Sequence, residues 1–481
     1  MLRPYWFFLP DCIEMFKLNL SRSRKNEGTL VEQIVSSVRQ ELKNATYPAG
    51  TALPSVRALA KSYNLSTYTV SEAYQRLVSL GLIVARAGAG YRVATPVGQA
   101  PAAPAWHAPS VNGAWLLSDV FADQSIPIKA GSGWIPNDWV NESGLQHALR
   151  VVSRTPGARI GGYGHPYGLG ALREYIGGSL RRYSLSVGTA DVLLTQGVTQ
   201  GLDLIVRTLL QPGDTVVVED PCYCNLLQIL KVAFIKVVSV TRTVEGIDTE
   251  ELETVIREHR PKGIFINTAL QNPSGTSLSA ASAFRLLQIA DREGLWVVED
   301  DISRELAPPG APCLAAMEGL RRVIYLSGFS KTITPAARVG YIAANRELIS
   351  KLATTKMVVG LTSSEVTERM VANVLIEGHY DRHTAHIRER LFNAHARVTE
   401  SMQSSGLEIF HTPNAGLFLW ARLPIPPEDS LAVATEALTK GIWLAPGSYF
   451  RPGEAESAWF RFNAATSDVP ELWAFIRGLA A

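Results

Sequence analysis

The chain has 481 residues, a formal net charge of +2, 46% hydrophobic and 19% charged residues, which suits two or three globular domains with a large buried core. Its four cysteines are too few for a disulfide scaffold and point to a reducing, cytoplasmic setting; Cys222 and Cys224, one residue apart, lack metal or redox spacing, so no metal is expected. No apolar run approaches the ~18 residues of a membrane span, so no membrane partner is expected.

Residues 1–23 open with the apolar stretch Tyr5–Pro10, interrupted by Asp11 and Glu14 and followed by no small-residue cleavage site. They do not read as a signal peptide. They read as a disordered extension, or as sequence upstream of a true start at Met15.

Residues 24–93 predict three helices and a wing. Val31, Ile34, Val35, Val38 and Leu42 recur at helical spacing. Pro54 and Ser55 open a second helix with Val56, Leu59, Ala60 and Tyr63 inward. Ser66 is an N-cap for a third helix that turns Val70, Ala73, Tyr74, Leu77 and Leu80 inward and stops at Gly81. LIVARAGAGYRV then predicts two short strands joined by a Gly-rich tip. Between Leu30 and Val93 seven bases stand against three acids, while the remainder of the chain is slightly acidic. The early residues of the third helix, Ser66, Thr67, Tyr68, Thr69 and Ser71, are small or polar enough to enter a major groove and offer amides to phosphate. Ser55 and Arg57 on the second helix, and Arg86 and Gly88 on the wing, suit the DNA backbone. The segment resembles the GntR-type winged helix-turn-helix, matching at its LPS-x-R and Y-x-x-L-x-x-x-G-L positions. That family often has Arg-Asn where Thr67-Tyr68 stands, so its base preference is not carried over.

Residues 94–125, with APAAPAW, read as a Pro/Ala-rich linker.

From residue 126 to 481 strands and helices alternate. TVVVED, GIFINTAL, LWVVEDD, VIYLSG and VGYIAA are strand-like, and Ala280–Glu293 is an amphipathic helix. This predicts an α/β domain with a mostly parallel sheet covered on both faces. Ligands of such sheets bind beyond the carboxyl ends of strands, where Tyr223, Asn272, Asp300 and Lys331 all fall. Their chemistry is coherent. A lysine holds an aldehyde as a Schiff base, and a carboxylate keeps a pyridine nitrogen protonated. A tyrosine stacks on a ring, and an amide donates to a ring hydroxyl. Arg338 pairs with a phosphate, and so do the amides of Val198, Thr199 and Gln200 at a helix start.

These residues make the domain similar to the fold-type I aminotransferases that depend on pyridoxal 5'-phosphate (PLP). With the head, the architecture resembles the MocR subfamily of transcription regulators. The resemblance implies PLP as cofactor, held on Lys331 through SGFSKTITPAARVGY, with Arg338 on the phosphate. EDD supplies Asp300, QNPSG supplies Asn272 and EDPCY supplies Tyr223. YGHPYGLGALREYI implies that Tyr163 reaches the partner subunit's cofactor in a homodimer, and WFRFNAA implies that Arg461 holds an effector or substrate carboxylate. Two positions depart from the family: Ile302 replaces a tyrosine that donates to the ring hydroxyl, and Gly328 replaces a phosphate-binding Ser or Thr. Ser327 or Ser330 is available to compensate for the second. The implied function is a PLP-dependent regulator that reads a double-stranded DNA operator and senses an amino compound through Lys331. The alternative is a working aminotransferase with a DNA-binding head.

Overall fold

The computed structural model describes residues 18, 20, 29–43, 50–86, 90–94, 126–157, 160–378 and 380–479. They fall into two units, residues 1–107 and 108–481. The linker expected at 94–125, apart from Ala94, lies outside the described residues, as does the extension apart from Leu18 and Leu20.

In the first unit, α1 (Leu30–Lys43), α2 (Val56–Ser62) and α3 (Thr67–Ser79) precede a two-stranded ribbon, β1 (Ile83–Arg86) and β2 (Gly90–Val93). The ribbon is antiparallel, with Ile83 opposite Val93. The expected N-cap at Ser66 forms, its Oγ accepting from Thr69 N at 3.0 Å, and Ser55, where the second helix is expected to open, caps it likewise, its Oγ accepting from Ala58 N at 3.1 Å. Each satisfies an amide that has no partner within the helix. Ile34, Val38, Leu59, Val70, Ala73, Tyr74 and Leu77 form the core. Two expectations fail. Leu80 is 53% exposed, because α3 ends one residue earlier and Leu80 only caps it. Leu18, assigned by sequence to a disordered extension, is buried in this core, and its amide donates to the Tyr63 hydroxyl at 3.1 Å.

The second unit is built on an eight-stranded sheet of β3 (Val192–Thr195), β4 (Thr215–Asp220), β5 (Lys236–Thr243), β6 (Gly246–Ile247), β7 (Gly263–Asn267), β8 (Trp296–Asp300), β9 (Val323–Gly328) and β10 (Gly340–Ala343). Its order is β3-β10-β9-β8-β7-β4-β5-β6. The central run from β5 to β9 is parallel, whereas β10 runs antiparallel to both neighbours. Side chains alternate between two helical layers: Val217 packs in one core, Val216 and Val218 in the other. The expected helix Ala280–Glu293 forms with those bounds.

A second, antiparallel sheet comprises β11 (Glu408–Ile409), β12 (Phe418–Arg422), β13 (Ala445–Pro446) and β14 (Trp459–Asn463), in the order β11-β12-β14-β13. It packs with the helices Tyr380–Ser404 and Pro470–Gly478. The segment 126–135 runs beside it, with Ile128 bridging to Ile442. No described helix is long and apolar enough to cross a membrane.

Candidate cofactor site and DNA-facing surface

Because β4, β7, β8 and β9 run in one direction, the loops beyond them share an edge. Asp300 ends β8 opposite Asn267 of β7, whose Nδ2 donates to the Asp300 carbonyl at 2.9 Å. Burial pushes the Asp300 carboxyl up to about 7, helped by neighbouring Asp301 and opposed by the Ile302 amide, Asn267 and Lys331. Of the EDD triplet only Asp300 is available to a ligand. Asp301 is paired with the buried Arg304, and Glu299 accepts from the amides of Leu314 and Ala315 at 2.9 and 2.8 Å.

Lys331 lies three residues past β9. Burial, and then the positive charge of Arg461, pull its amine down to about 8. Its Nζ donates to the Gly133 carbonyl and stands 5.8 Å from the centre of the Phe418 ring. Arg461, on β14, is 3% exposed and lies between the rings of Phe418 and Phe450, each 4.8 Å from its guanidinium carbon. It donates to Asn272 Oδ1 at 3.0 Å and to the Gly131 carbonyl at 2.6 Å. Asn272 sits five residues past β7, in a turn, and this bond leaves its Nδ2 to donate elsewhere.

Tyr223 caps the helix Cys224–Val232 and lines a small cleft together with Asp300, Asn267 and Val298. Burial, with the nearby Cys224 and Asp300, pushes its phenol up to about 12, and its hydroxyl is hydrogen-bonded with Thr199 and accepts from Asn225 at 3.0 Å. Val198, Thr199 and Gln200 form the first turn of the helix Gly197–Leu209. Arg338 lies against that turn: its Nη2 donates to the Gln196 carbonyl at 3.3 Å, and a Cβ on Gly197 would stand 2.7 Å from the guanidinium. Gly197 also has φ +78°, so glycine is required there twice over.

Ser327 needs correction as a candidate phosphate ligand. It lies within β9, and its hydroxyl donates to the Asp301 carbonyl at 3.0 Å and is hydrogen-bonded with Tyr341. Ser330, half-buried beside Lys331, remains. The two departures from the family touch one another: Ile302 Cδ1 is 3.3 Å from where a Cβ on residue 328 would stand. Tyr163 is 74% exposed, on the glycine turn preceding β3.

Sequence reasoning missed the carbonyls of Gly131 and Gly133 and the rings of Phe418 and Phe450. The only signal was the glycine spacing in AGSG just past the linker.

On the head, Ser55, Arg57, Ser66, Thr67 and Tyr68 are exposed, Tyr68 at 76%, while Thr69 and Ser71 are half-buried. The Arg86 side chain and Gly88 lie outside the described residues.

Comparison with known proteins agrees with this geometry. The family model for aminotransferase class I and II matches residues 136–479, and that for bacterial regulatory proteins of the gntR family matches residues 30–93. The chain is 30% identical to the HTH-type transcriptional regulator YdcR of Escherichia coli over 449 residues, covering 90% of this chain and 94% of YdcR. It is 30% identical to the 2-aminoadipate transaminase of Thermus thermophilus, covering 73% of this chain and 90% of that enzyme. A solved kynurenine aminotransferase of Pyrococcus horikoshii superposes with a TM-score of 0.69 at 26% identity, covering 77% of this chain and 93% of that one. The chain therefore belongs to the aminotransferase class I and II family, among the MocR-type HTH transcriptional regulators in which a gntR-family head precedes an aminotransferase-like body.

Proposed function

We propose that this regulator binds PLP in its body and uses it to sense a small amino compound, as a homodimer that reads paired DNA half-sites. One observation carries the reading: the Lys331 amine, just past β9, and the buried Asp300 carboxyl, at the end of β8, stand at one sheet edge, where burial lowers the affinity of the amine for its proton and raises that of the carboxyl. Asp300 makes no ion pair among the described residues, so a protonated ring nitrogen would supply the cation that its buried carboxylate lacks. Arg338 beside the amides of residues 198–200, with Ser330, is a donor set suited to a dianionic phosphate.

When bound, PLP supplies an aldehyde that condenses with primary amines and a ring that draws electrons from the bond so formed. Lys331 offers its amine, free of its proton at lower pH than an ordinary lysine. Asp300 holds a proton at the ring nitrogen. Tyr223 would cover the ring, and Asn272 Nδ2 would donate to the ring hydroxyl. Arg461, already desolvated between two aromatic rings, takes an effector carboxylate. Tyr163, exposed on its turn, reaches the partner subunit's site. On the head, Ser66, Thr67, Tyr68, Thr69 and Ser71 face the major groove, with Ser55 and Arg57 on the DNA backbone and Arg86 and Gly88 extending the contact from the wing. An effector that binds one arrangement of the body more tightly shifts the population towards it.

The test is the visible absorption spectrum of wild type and Lys331→Ala with added PLP. A band in wild type alone supports the reading; no band in either overturns it. A second reading, turnover as an aminotransferase, draws on the identity to 2-aminoadipate transaminase across 90% of that enzyme. Multiple turnovers with an amino donor and a keto acid would establish it. Ile302 brings no hydroxyl to the ring, which favours sensing over fast turnover.

A further inference from the structure

We infer that the cavity between the helix Cys224–Val232 and the loop 449–454 receives the side chain of the effector, and that the effector is an α-amino acid with a long, uncharged side chain. The inference rests on the cofactor and effector reading above. The cavity has a volume of about 480 Å³ and is closed on a third side by Ile235 and Val237, at the start of β5. The wall it shares with the cofactor site is Cys224, the residue after Tyr223. Burial raises the proton affinity of the Cys224 thiol, and the charges of Arg461 and Lys331 oppose that rise, so both groups stand close to it. An amino acid with its amine at Lys331 and its carboxylate on Arg461 has its α-carbon between the two, and its side chain leaves past Cys224. The facing turn links the same two places: the Phe450 ring lies on Arg461, and Tyr449 lines the cavity.

The walls are clamped to one another. The Cys222 amide donates to the Phe450 carbonyl at 2.8 Å, and Arg451 donates to both carboxylate oxygens of Asp220, at 3.1 and 3.0 Å. Filling a cavity that is already formed costs little ordering. Its lining sets the class of side chain. Leu227, Ile235 and Val237 give it apolar surface, which favours each methylene that enters, and Gln228 adds a neutral amide. The three charged residues of the lining already have partners: Arg451 has Asp220, and Lys231 Nζ is 3.9 Å from Glu454 Oε1. An ammonium or carboxylate carried in on a side chain would give up water and meet no free counter-ion.

The probes are the stable N-(5'-phosphopyridoxyl) adducts of L-alanine, L-norleucine, L-lysine, L-glutamine and L-glutamate. Each is titrated calorimetrically into the full chain freed of PLP. We expect the norleucine adduct to bind about tenfold tighter than the alanine adduct. It should also exceed the lysine adduct, and glutamine should exceed glutamate, each by about fivefold or more. Gln228→Trp, which sets a large ring in the cavity, should bring the norleucine adduct down to the affinity of the alanine adduct. If that variant does not fold, Lys231→Met, at an exposed side chain, leaves Glu454 without its cation and should raise the lysine adduct relative to glutamate. Equal affinity for all five adducts, or a preference for lysine or glutamate over its uncharged counterpart, overturns the inference and leaves the cofactor reading standing. So does a norleucine advantage that survives in folded Gln228→Trp. Failure to bind any adduct overturns both.

Discussion

The head and the body place charge in opposite ways. Among the described residues of the head, no charged side chain is buried. The body buries Glu219, Arg242, Glu299, Asp300, Asp301, Arg304, Lys356, Glu368 and Arg461. A surface that meets DNA works with solvated groups, whose affinity comes from phosphate contacts and falls with salt. A site that distinguishes one small molecule works with desolvated groups, whose proton affinities have moved and whose charges need partners. Mutations should therefore act on different observables in the two regions.

The largest expected effect lies in the body. Arg242 is fully buried, is paired with Glu219, and donates to the Asn267 carbonyl at 3.0 Å and to Thr276 Oγ1 at 2.9 Å. Arg242→Ala should cost about 3–5 kcal/mol in urea unfolding, because Glu219 is left as an uncompensated buried charge. A loss below about 1 kcal/mol would mean that buried charge in the body is as tolerant as the solvated charge of the head.

Next comes pH. With its amine lowered from 10.5 to about 8, Lys331 should attach PLP at a rate that climbs through pH about 8 and levels above it. A climb continuing towards 10.5 would place the amine in solvent-like surroundings. Asp300 gives the opposite sign in stability. Its folded value of about 7 lies above the ordinary 3.8, so the folded state binds more protons across that window and its contribution falls as pH rises through it. Asp300→Asn should remove that fall from the pH profile of unfolding.

Smaller effects belong to the head. Ser66→Ala removes a helix cap and should cost about 1 kcal/mol in the head's own transition, leaving PLP attachment unchanged. Arg57→Ala should leave stability within about 0.5 kcal/mol. It should weaken DNA binding evenly across sequences and lower the slope of log affinity against log salt by about 1. A change in sequence preference would instead make Arg57 a base reader.

The sequence carried the parallel strands and the helix Ala280–Glu293 because each is a continuous apolar or periodic run. It carried Lys331, Asp300 and Arg338 because each lies beside a strand with a recognisable pattern. β3 has only four residues, all buried, and β5 alternates with polar residues, so neither announced itself. The second sheet was hidden for another reason: β11 and β13 have two residues each, and Ile128, which bridges to Ile442 just before β13, lies some three hundred residues upstream. The role of Ser327 was misread because a strand residue and the loop residue three places later face different surroundings. The carbonyls of Gly131 and Gly133 left only the glycine spacing of AGSG, since backbone acceptors have no signature in residue type.

The stretch that follows Tyr163 is fixed from inside. Lys356, buried at 1% exposure, donates to the carbonyls of Pro166 and Leu194 at 3.1 and 2.9 Å, while Glu368 accepts from the Leu169 amide at 2.8 Å. The stretch from Pro166 to Leu169 is thus ordered when the chain folds, so a surface that docks beside Tyr163 loses no affinity to disorder in that stretch.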